Sequence, residues 1–351
     1  MIKYNISIIV PVYNVDTFVE DCIRSVMRQT YEGPMECIVV DDCGTDDSMV
    51  KVEKLISEYT GPITFKILNH THNRGLSAAR NTGMEAAGGD YLFFLDSDDE
   101  ITDDCIEKLT IPLSESNYDI VLGDLKRIRF SELNGWEEIR TSYKLLLDDK
   151  TILTNQDILK THKKGWNQLA QNKLYRVSFI KENNLRFKEG LLHEDNLWGY
   201  QVACLAKSLF VVKQVTYLWK ERMGSITNLH GGIEYVQAMI VILREINLFN
   251  KEYHINNNAV FPVINYFLND VLRYYLNSFS NYKRLYKDLR PSFEINIFSL
   301  IRKNHFNMKK YVHDLHYLMP LSIAPYWKFS LDNLILFFHK KTRKCVKIML
   351  W

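Results

Sequence analysis

The chain has 351 residues, with 44 Lys+Arg against 42 Asp+Glu and a formal net charge of +2. That near balance excludes a globally basic nucleic-acid coat and an acidic solvating chain. Hydrophobic residues at 46% and charged residues at 25% are those of a folded protein. The charge is unevenly spread: residues 300–351 hold ten Lys/Arg and two acids, Asp314 and Asp332, for a net +8, which leaves residues 1–299 at −6. The six cysteines form no C-x-x-C pair and read as reduced thiols of a cytosolic protein. The start, MIKYNISIIVPVYN, lacks a signal-peptide pattern, and no run of about 18 apolar residues predicts a membrane span.

The first hundred residues alternate strand and helix signals. Ile6–Val12 is a β-branched run that ends in a turn at Tyr13-Asn14, and Asp16–Gln29 has helical spacing with Asp16 as its expected N-cap. Glu36–Val40 is a second strand running into Asp41-Asp42, Ser48–Tyr59 is helical, and Ile63–Leu68 is a third strand. Leu76–Ala87 is a helix stopped by Gly88-Gly89, and Tyr91–Leu95 is a fourth strand ending in Asp96-Ser97-Asp98-Asp99. Fully apolar strands alternating with helices predict an α/β fold with a mainly parallel sheet. In such sheets ligands bind at the carboxyl ends of the strands. Beyond residue 118 the spacing predicts strands over Asp119–Phe130 and Leu209–Trp219, a loop then a helix over Gly165–Lys181, and a helix over Asn196–Ala206. From Ile233 the chain reads as helical, and the glycine-rich stretch at 224–232 marks a boundary.

Three clusters carry chemistry. Asp96 and Asp98, two residues apart at a strand end, can face one hard cation, since Mg²⁺ and Mn²⁺ prefer oxygen ligands and leave room for phosphate. A solvated acidic turn is the competing reading, and Asp99 and Glu100 bring the count to four acids in five residues. Asp42 can accept a ring N–H or a ribose hydroxyl, or cap the next helix. Arg80 can reach a phosphate or pair with the acidic strand ends.

The text SIIVPVYN, SVMRQTY, CIVVDDCGTDDS and NRGLSAARNTGMEAAGGDYLFFLDSDD closely resembles family 2 glycosyltransferases of the GT-A fold. The resemblance continues more weakly in NKLYR (Asn172–Arg176), LHEDNLW (Leu192–Trp198) and YLWKERMGSIT (Tyr217–Thr227). It implies a Rossmann-like sheet flanked by helices, with a catalytic domain over 1–228 (nucleotide-sugar half 1–110, acceptor half 111–228) and a mostly helical region over 229–351. It implies that Pro11, Tyr13, Asn14, Asp42, Arg80, Asp96 and Ser97 bind the nucleotide, that Asp98 and Asp96 hold Mg²⁺ or Mn²⁺, and that Asp195 is the catalytic base. Glu194 supports the site, and Arg222 and Ser225 sit in a segment that closes over the diphosphate. The residues leave other readings open: Asp195 as a helix N-cap, Trp166 and Trp198 as sugar platforms or as core. Cys43-Gly44 departs from the family's usual Gly-Ser or Asn-Ser pair, with little expected effect on a turn made by backbone.

The implied reaction is single-displacement transfer, with inversion, from a nucleotide-diphospho-sugar to a glycan or lipid-linked acceptor in bacterial surface-polysaccharide synthesis. A nucleotidyltransferase would want a glycine-rich loop where this chain has VPVYNVD, and a non-catalytic sugar-nucleotide module would need no Asp195. The basic, aromatic tail, with Leu331, Leu334, Ile335 and Phe338 at helical spacing, predicts docking on an anionic membrane surface from the cytoplasmic side, against packing on its own domain. No nucleic-acid module is visible, and helices over 233–320 are compatible with a homodimer.

Overall fold

The computed structural model describes residues 3–131, 135–139, 152–154, 158, 169–221, 232–293, 315–317 and 319–334. The chain divides into two compact units, Met1–His230 and Gly231–Trp351.

The first unit is built on one mixed sheet in the order β3-β2-β1-β4-β9-β6-β10-β5, with β7 beside β6 and β8 beside β10. Strands β1 (Ile6–Val12), β2 (Met35–Asp41), β3 (Thr64–Asn69) and β4 (Tyr91–Phe94) run parallel. Helices α1 (Val19–Met27), α2 (Ser48–Glu58) and α3 (Leu76–Ala86) are their crossovers. Every residue of β1 and β4 is buried, as apolar strands covered on both faces require. Alternate side chains serve opposite cores: Ile6, Ile8, Val10 and Val12 pack with Val19, Ile23 and Val26 of α1, while Ile9 joins Phe94, Tyr175 and Trp198 on the other face. Helix α3 lies close against the sheet because its contact residues are small. A Cβ on Gly83 would stand 2.4 Å from Ile9 Cγ2.

The second half of the unit interleaves directions. Strand β9 (Lys173–Arg176) runs antiparallel between β4 and the long strand β6 (Ile120–Ser131). Strand β10 (Ser208–Glu221) is parallel to β6 and antiparallel to β5 (Glu100–Ile101). Short antiparallel strands β7 (Gly135–Glu138) and β8 (Ile152–Thr154) flank them. Helices α4 (Cys105–Thr110), α5 (Val177–Glu182) and α6 (Glu194–Leu205) complete the unit. Mainly parallel packing thus holds for the nucleotide half and gives way to mixed packing beyond it.

Two local expectations fail. Asp16 does not cap α1: Phe18 holds the cap position, and the Asp16 amide donates to Asp46 Oδ2 at 2.9 Å. The chain needs extra residues to leave the turn at Asn14, whose φ is 50°. The expected loop before α5 contains a strand. Leu174 and Tyr175 point into opposite cores, and a four-residue strand is too short to announce itself by periodicity.

The second unit is helical in its described parts, with α7 (Ile233–Glu252), α8 (Asn257–Tyr274, with Pro262 inside), α9 (Phe279–Leu289) and a helix over 324–334. A buried polar cluster ties these together. Tyr282 donates its hydroxyl to Asp332 Oδ2 at 2.8 Å, Lys328 donates to Asp332 Oδ1, and Tyr286 Oη meets His316 Nδ1 at 2.6 Å. Among the described residues no helix is long and apolar enough to cross a membrane.

Candidate active site

The ends of β1, β2 and β4 lie side by side in the parallel sheet, so Pro11–Asn14, Asp41-Asp42 and Asp96–Asp99 leave its carboxyl edge together. Tyr13 is exposed, whereas Pro11 is buried. Asn14 accepts the Thr45 amide on Oδ1 at 2.7 Å, which joins the first turn to the second. Gly44 is needed there: a Cβ would lie 3.1 Å from Asn14 Oδ1 and 3.2 Å from Asn14 N. Cys43 takes the left-handed conformation, φ 60°, and its thiol is exposed.

Asp42 is buried and holds the loop before α3. Its carboxylate accepts the amides of Arg74 and Gly75, each at 2.8 Å, and lies 2.6 Å from His70 Nδ1. Two carboxylate oxygens offer about four acceptor positions, so this protein-internal set leaves room for roughly one more donor. Asp42 does not cap α2, the next helix; its carboxylate is spent on the loop that leads into α3.

Arg80 is the hub of the site. Its side chain is 1% exposed, and its guanidinium donates to Asp96 Oδ1 at 2.8 Å, Glu194 Oε1 at 2.7 Å and Asp195 Oδ1 at 3.0 Å. Of the two roles open to it in sequence, pairing with acids is the one seen. One cation faces three carboxylates. Burial alone would lower the Arg80 pKa, but the charges of Asp195, Asp96 and Glu194 more than offset that and raise it. Burial and the neighbouring Asp195 push Glu194 up to about 7, against the pull of Arg80. Asp195 is raised as well, by burial first and by Asp96, with Arg80 and Lys173 opposing.

Asp195 sits in the first turn of α6, where the helix terminus favours negative charge. It is not the cap: His193 holds that position with φ 58°. Glu194 has Arg80 as its partner.

The four acids after β4 divide cleanly. Asp99 accepts the Tyr217 hydroxyl at 2.7 Å and the Lys220 amide at 2.8 Å, and burial together with Asp98 and Asp96 raises its pKa well above the usual range. Glu100 pairs with Lys220 Nζ at 2.6 Å and with Arg28 at 3.7 Å. Two acids are therefore structural, and Asp96 and Asp98, both half-buried, remain at the crevice with buried Ser97 between them. Among the described residues no group of three or more His, Cys, Asp or Glu forms a protein-only metal cage. Mg²⁺ usually takes one or two carboxylates and completes its shell with water and substrate phosphate, so the Asp96/Asp98 donor set fits a site finished by a diphosphate.

Trp198 is core. It is 1% exposed, stacks on Phe187 at 4.1 Å between centroids, and donates its ring N–H to Tyr175 Oη at 3.2 Å. Trp166, Arg222 and Ser225 lie outside the described residues. Sequence reading missed Tyr217, whose hydroxyl also accepts the Asp96 amide at 3.3 Å, and Lys173, a buried lysine electrostatically linked to Asp195. A lysine directly before the apolar pair Leu174-Tyr175 was the available signal for the second.

Residues 7–182, half of the chain, match the family described as Glycosyl transferase family 2. The chain belongs to that family. It is a glycosyltransferase with the GT-A fold. It is 32% identical over 251 residues to Glycosyltransferase GlyA of Streptococcus pneumoniae, a match covering 69% of this chain and 35% of GlyA. It is 28% identical over 222 residues to the poly(ribitol-phosphate) beta-N-acetylglucosaminyltransferase TarS of Staphylococcus aureus, covering 62% of this chain and 35% of TarS. The chain thus spans about a third of the length of either relative. The crystal structure of S. aureus TarS 1–349 in complex with UDP-GlcNAc superposes with a TM-score of 0.70 at 21% identity, over 96% of this chain and 92% of that one. At that identity the likeness concerns the fold.

Proposed function

We propose that this glycosyltransferase moves a sugar, with inversion, from a UDP-sugar to a hydroxyl of a glycan or lipid-linked acceptor of the bacterial cell surface. The observation that carries the reading is the Arg80 hub, which brings Asp96 after β4 within one guanidinium of Glu194-Asp195 at the start of α6. Donor-side and acceptor-side carboxylates are thereby held at one point of the crevice. UDP is favoured over other nucleotides because the TarS fold is seen with UDP-GlcNAc.

In this mechanism Asp195 takes the proton of the acceptor hydroxyl as its oxygen attacks the anomeric carbon. The new C–O bond forms on the face opposite the leaving diphosphate, whose C–O bond breaks with the electron pair going to the phosphate oxygen. A positioned base of this kind contributes about 10²–10⁴-fold. Burial raises the basicity of Asp195 and Arg80 restrains it. Mg²⁺ or Mn²⁺ held by Asp98 and Asp96 would supply charge stabilisation to the leaving diphosphate. Tyr13 offers an exposed ring at the edge of the nucleotide site, with Pro11, Asn14 and Ser97 forming its backbone walls and Asp42 keeping an acceptor position for the base. Arg80 serves the nucleotide through Asp96, since its guanidinium is taken up by three carboxylates.

Association with an anionic membrane belongs to the same proposal. The helix over 324–334 and the residue preceding it expose Ile323, Tyr326, Trp327 and Leu334 at helical spacing, within the 300–351 segment of net +8. Aromatic rings with flanking cations suit a headgroup layer. The domain assignment, a catalytic region to about residue 228 and a helical region beyond, is part of this reading.

The test is a panel of UDP- and GDP-sugars with Mg²⁺ and Mn²⁺, scored by donor hydrolysis and by transfer. Turnover of a UDP-sugar that disappears in Asp98→Ala and Asp195→Asn is the expected result. Full transfer by either variant would overturn the site. Flotation of the full chain with vesicles containing anionic lipid, but not with neutral vesicles, is expected; identical behaviour with both would sink the membrane part.

A further inference from the structure

Lys173 opens β9, and its side chain is 1% exposed. An amine so buried needs an acceptor, and Nζ donates to the carbonyl of Leu169. The peptide unit that carries this carbonyl ends in the Ala170 amide, and the Ala170 amide donates to the Asp195 carboxylate. A peptide unit is planar and trans, so its C=O and N–H point in opposite directions. Fixing the oxygen fixes the direction of the hydrogen.

The rest of the segment is anchored independently. Asn172, at φ 60°, donates to the carbonyls of Gly123 and Asp124 at 2.9 and 3.1 Å and accepts the Thr216 hydroxyl at 2.7 Å. The Ala170 carbonyl accepts the Tyr175 hydroxyl at 2.9 Å. Among the described residues, the 169–170 peptide plane is the part of this segment held by Lys173. The charged groups around this point are Asp195, with Arg80, Glu194 and Asp96 behind it.

We propose that Lys173 is a positioning residue for the transfer reaction: it orients the Leu169–Ala170 peptide so that its N–H holds the Asp195 carboxylate, opposite the grip of Arg80. The inference rests on Asp195 being the catalytic base. Asp195 is then clamped from two sides, by a guanidinium on one oxygen and by a backbone amide aimed through Lys173. Burial lowers the Lys173 pKa to about 7, against the charge of Asp195. Either protonation state keeps an N–H for the Leu169 carbonyl, so the positioning does not require the charge.

The test uses the full chain and steady-state kinetics with the UDP-sugar that the donor panel identifies, comparing wild type, Lys173→Met, Lys173→Arg and Asp195→Asn. Lys173→Met is expected to lower kcat about 10- to 100-fold, the loss typical of a displaced reacting group, with donor KM unchanged. Lys173→Arg, which can still donate to Leu169, is expected to recover most of that loss. A kcat for Lys173→Met indistinguishable from wild type, or a loss that Lys173→Arg does not recover, overturns the inference. If Lys173→Met fails to fold, Lys173→Leu, which likewise lacks an N–H donor, replaces it with the same two readouts. Full activity in Asp195→Asn would instead overturn the assignment of the base, and the two failures are thus separate.

Discussion

The two units of this protein each bury an ionic cluster, and the clusters are built to opposite rules. In the second unit Lys328 meets Asp332, one charge of each sign, and the remaining acceptor is met by Tyr282. In the first unit Arg80 faces Asp96, Glu194 and Asp195. The balanced pair fastens helices that lie far apart in sequence. The unbalanced one leaves negative charge near converging strand ends, where the proposed mechanism accommodates a cation, a diphosphate and a proton. A surplus of like charge in the interior is costly, and under that proposal it marks a working site rather than a fastening.

The largest expected effect separates the clusters by activity. Asp195→Asn should cut transfer about 10²–10⁴-fold in initial-rate assays and leave the thermal midpoint no lower, because one repelling charge is removed. A midpoint several degrees lower would make Asp195 a fastening after all. Next come single partners of each cluster. Arg80→Met and Asp332→Leu should each lower unfolding free energy by about 3–5 kcal/mol in urea titrations, since each strands buried charge. Replacing both partners, Lys328→Met with Asp332→Leu, should return near wild-type stability, as apolar substitutes for a closed pair do. No single partner exchange can do the same for Arg80. Recovery in Arg80→Met/Asp96→Asn alone would erase the distinction.

The third effect is a pH dependence. Glu194 is raised to about 7 from the ordinary carboxylate value, so the folded protein keeps its proton where the unfolded chain has lost it. The unfolded state then binds fewer protons between roughly pH 4.5 and 7, and stability falls as pH rises through that window, by about 1–3 kcal/mol. Glu194→Gln should flatten the slope in denaturation curves taken across the range; an unchanged slope would assign it to another group. The smallest effect should be the same in both units. Tyr217 donates to Asp99 at 2.7 Å and Tyr282 donates to Asp332 at 2.8 Å. Tyr→Phe at either place removes one hydrogen bond to a buried carboxylate and should cost about 1–3 kcal/mol; Tyr217→Phe also removes the acceptor of the Asp96 amide at 3.3 Å. A loss in Tyr217→Phe smaller than in Tyr282→Phe would show that the surplus charge near Asp99 lowers the bond's worth.

The nucleotide half was legible because its signals are local. Each strand there is a continuous apolar run with a polar end, and each helix follows within a short turn, so pattern alone places Asp42, Asp96 and Asp98 on one edge. The acceptor half was less so. Strand β9 is four residues long and sits between strands from distant parts of the chain, which no periodicity reveals. The division of labour among Asp96, Asp98, Asp99 and Glu100 was also hidden, since it depends on Tyr217 and Lys220 of β10 arriving from across the sheet. Arg80 was visible as a cation in a small-residue helix. That its partners include Glu194 and Asp195 follows only from the tertiary fold.

The Arg80 hub also sets a timetable for making the protein. Arg80 and Asp195 are separated by 115 positions. At about 5–20 residues per second of synthesis, a ribosome takes on the order of ten seconds to deliver the second after the first. During that interval a nascent chain can offer Arg80 only Asp96, which lies 16 positions on. The guanidinium gains its other two partners only when the strands and helices through α6 have emerged. The active constellation is therefore among the last things the first unit completes, and an interrupted chain ending before residue 194 is born without it.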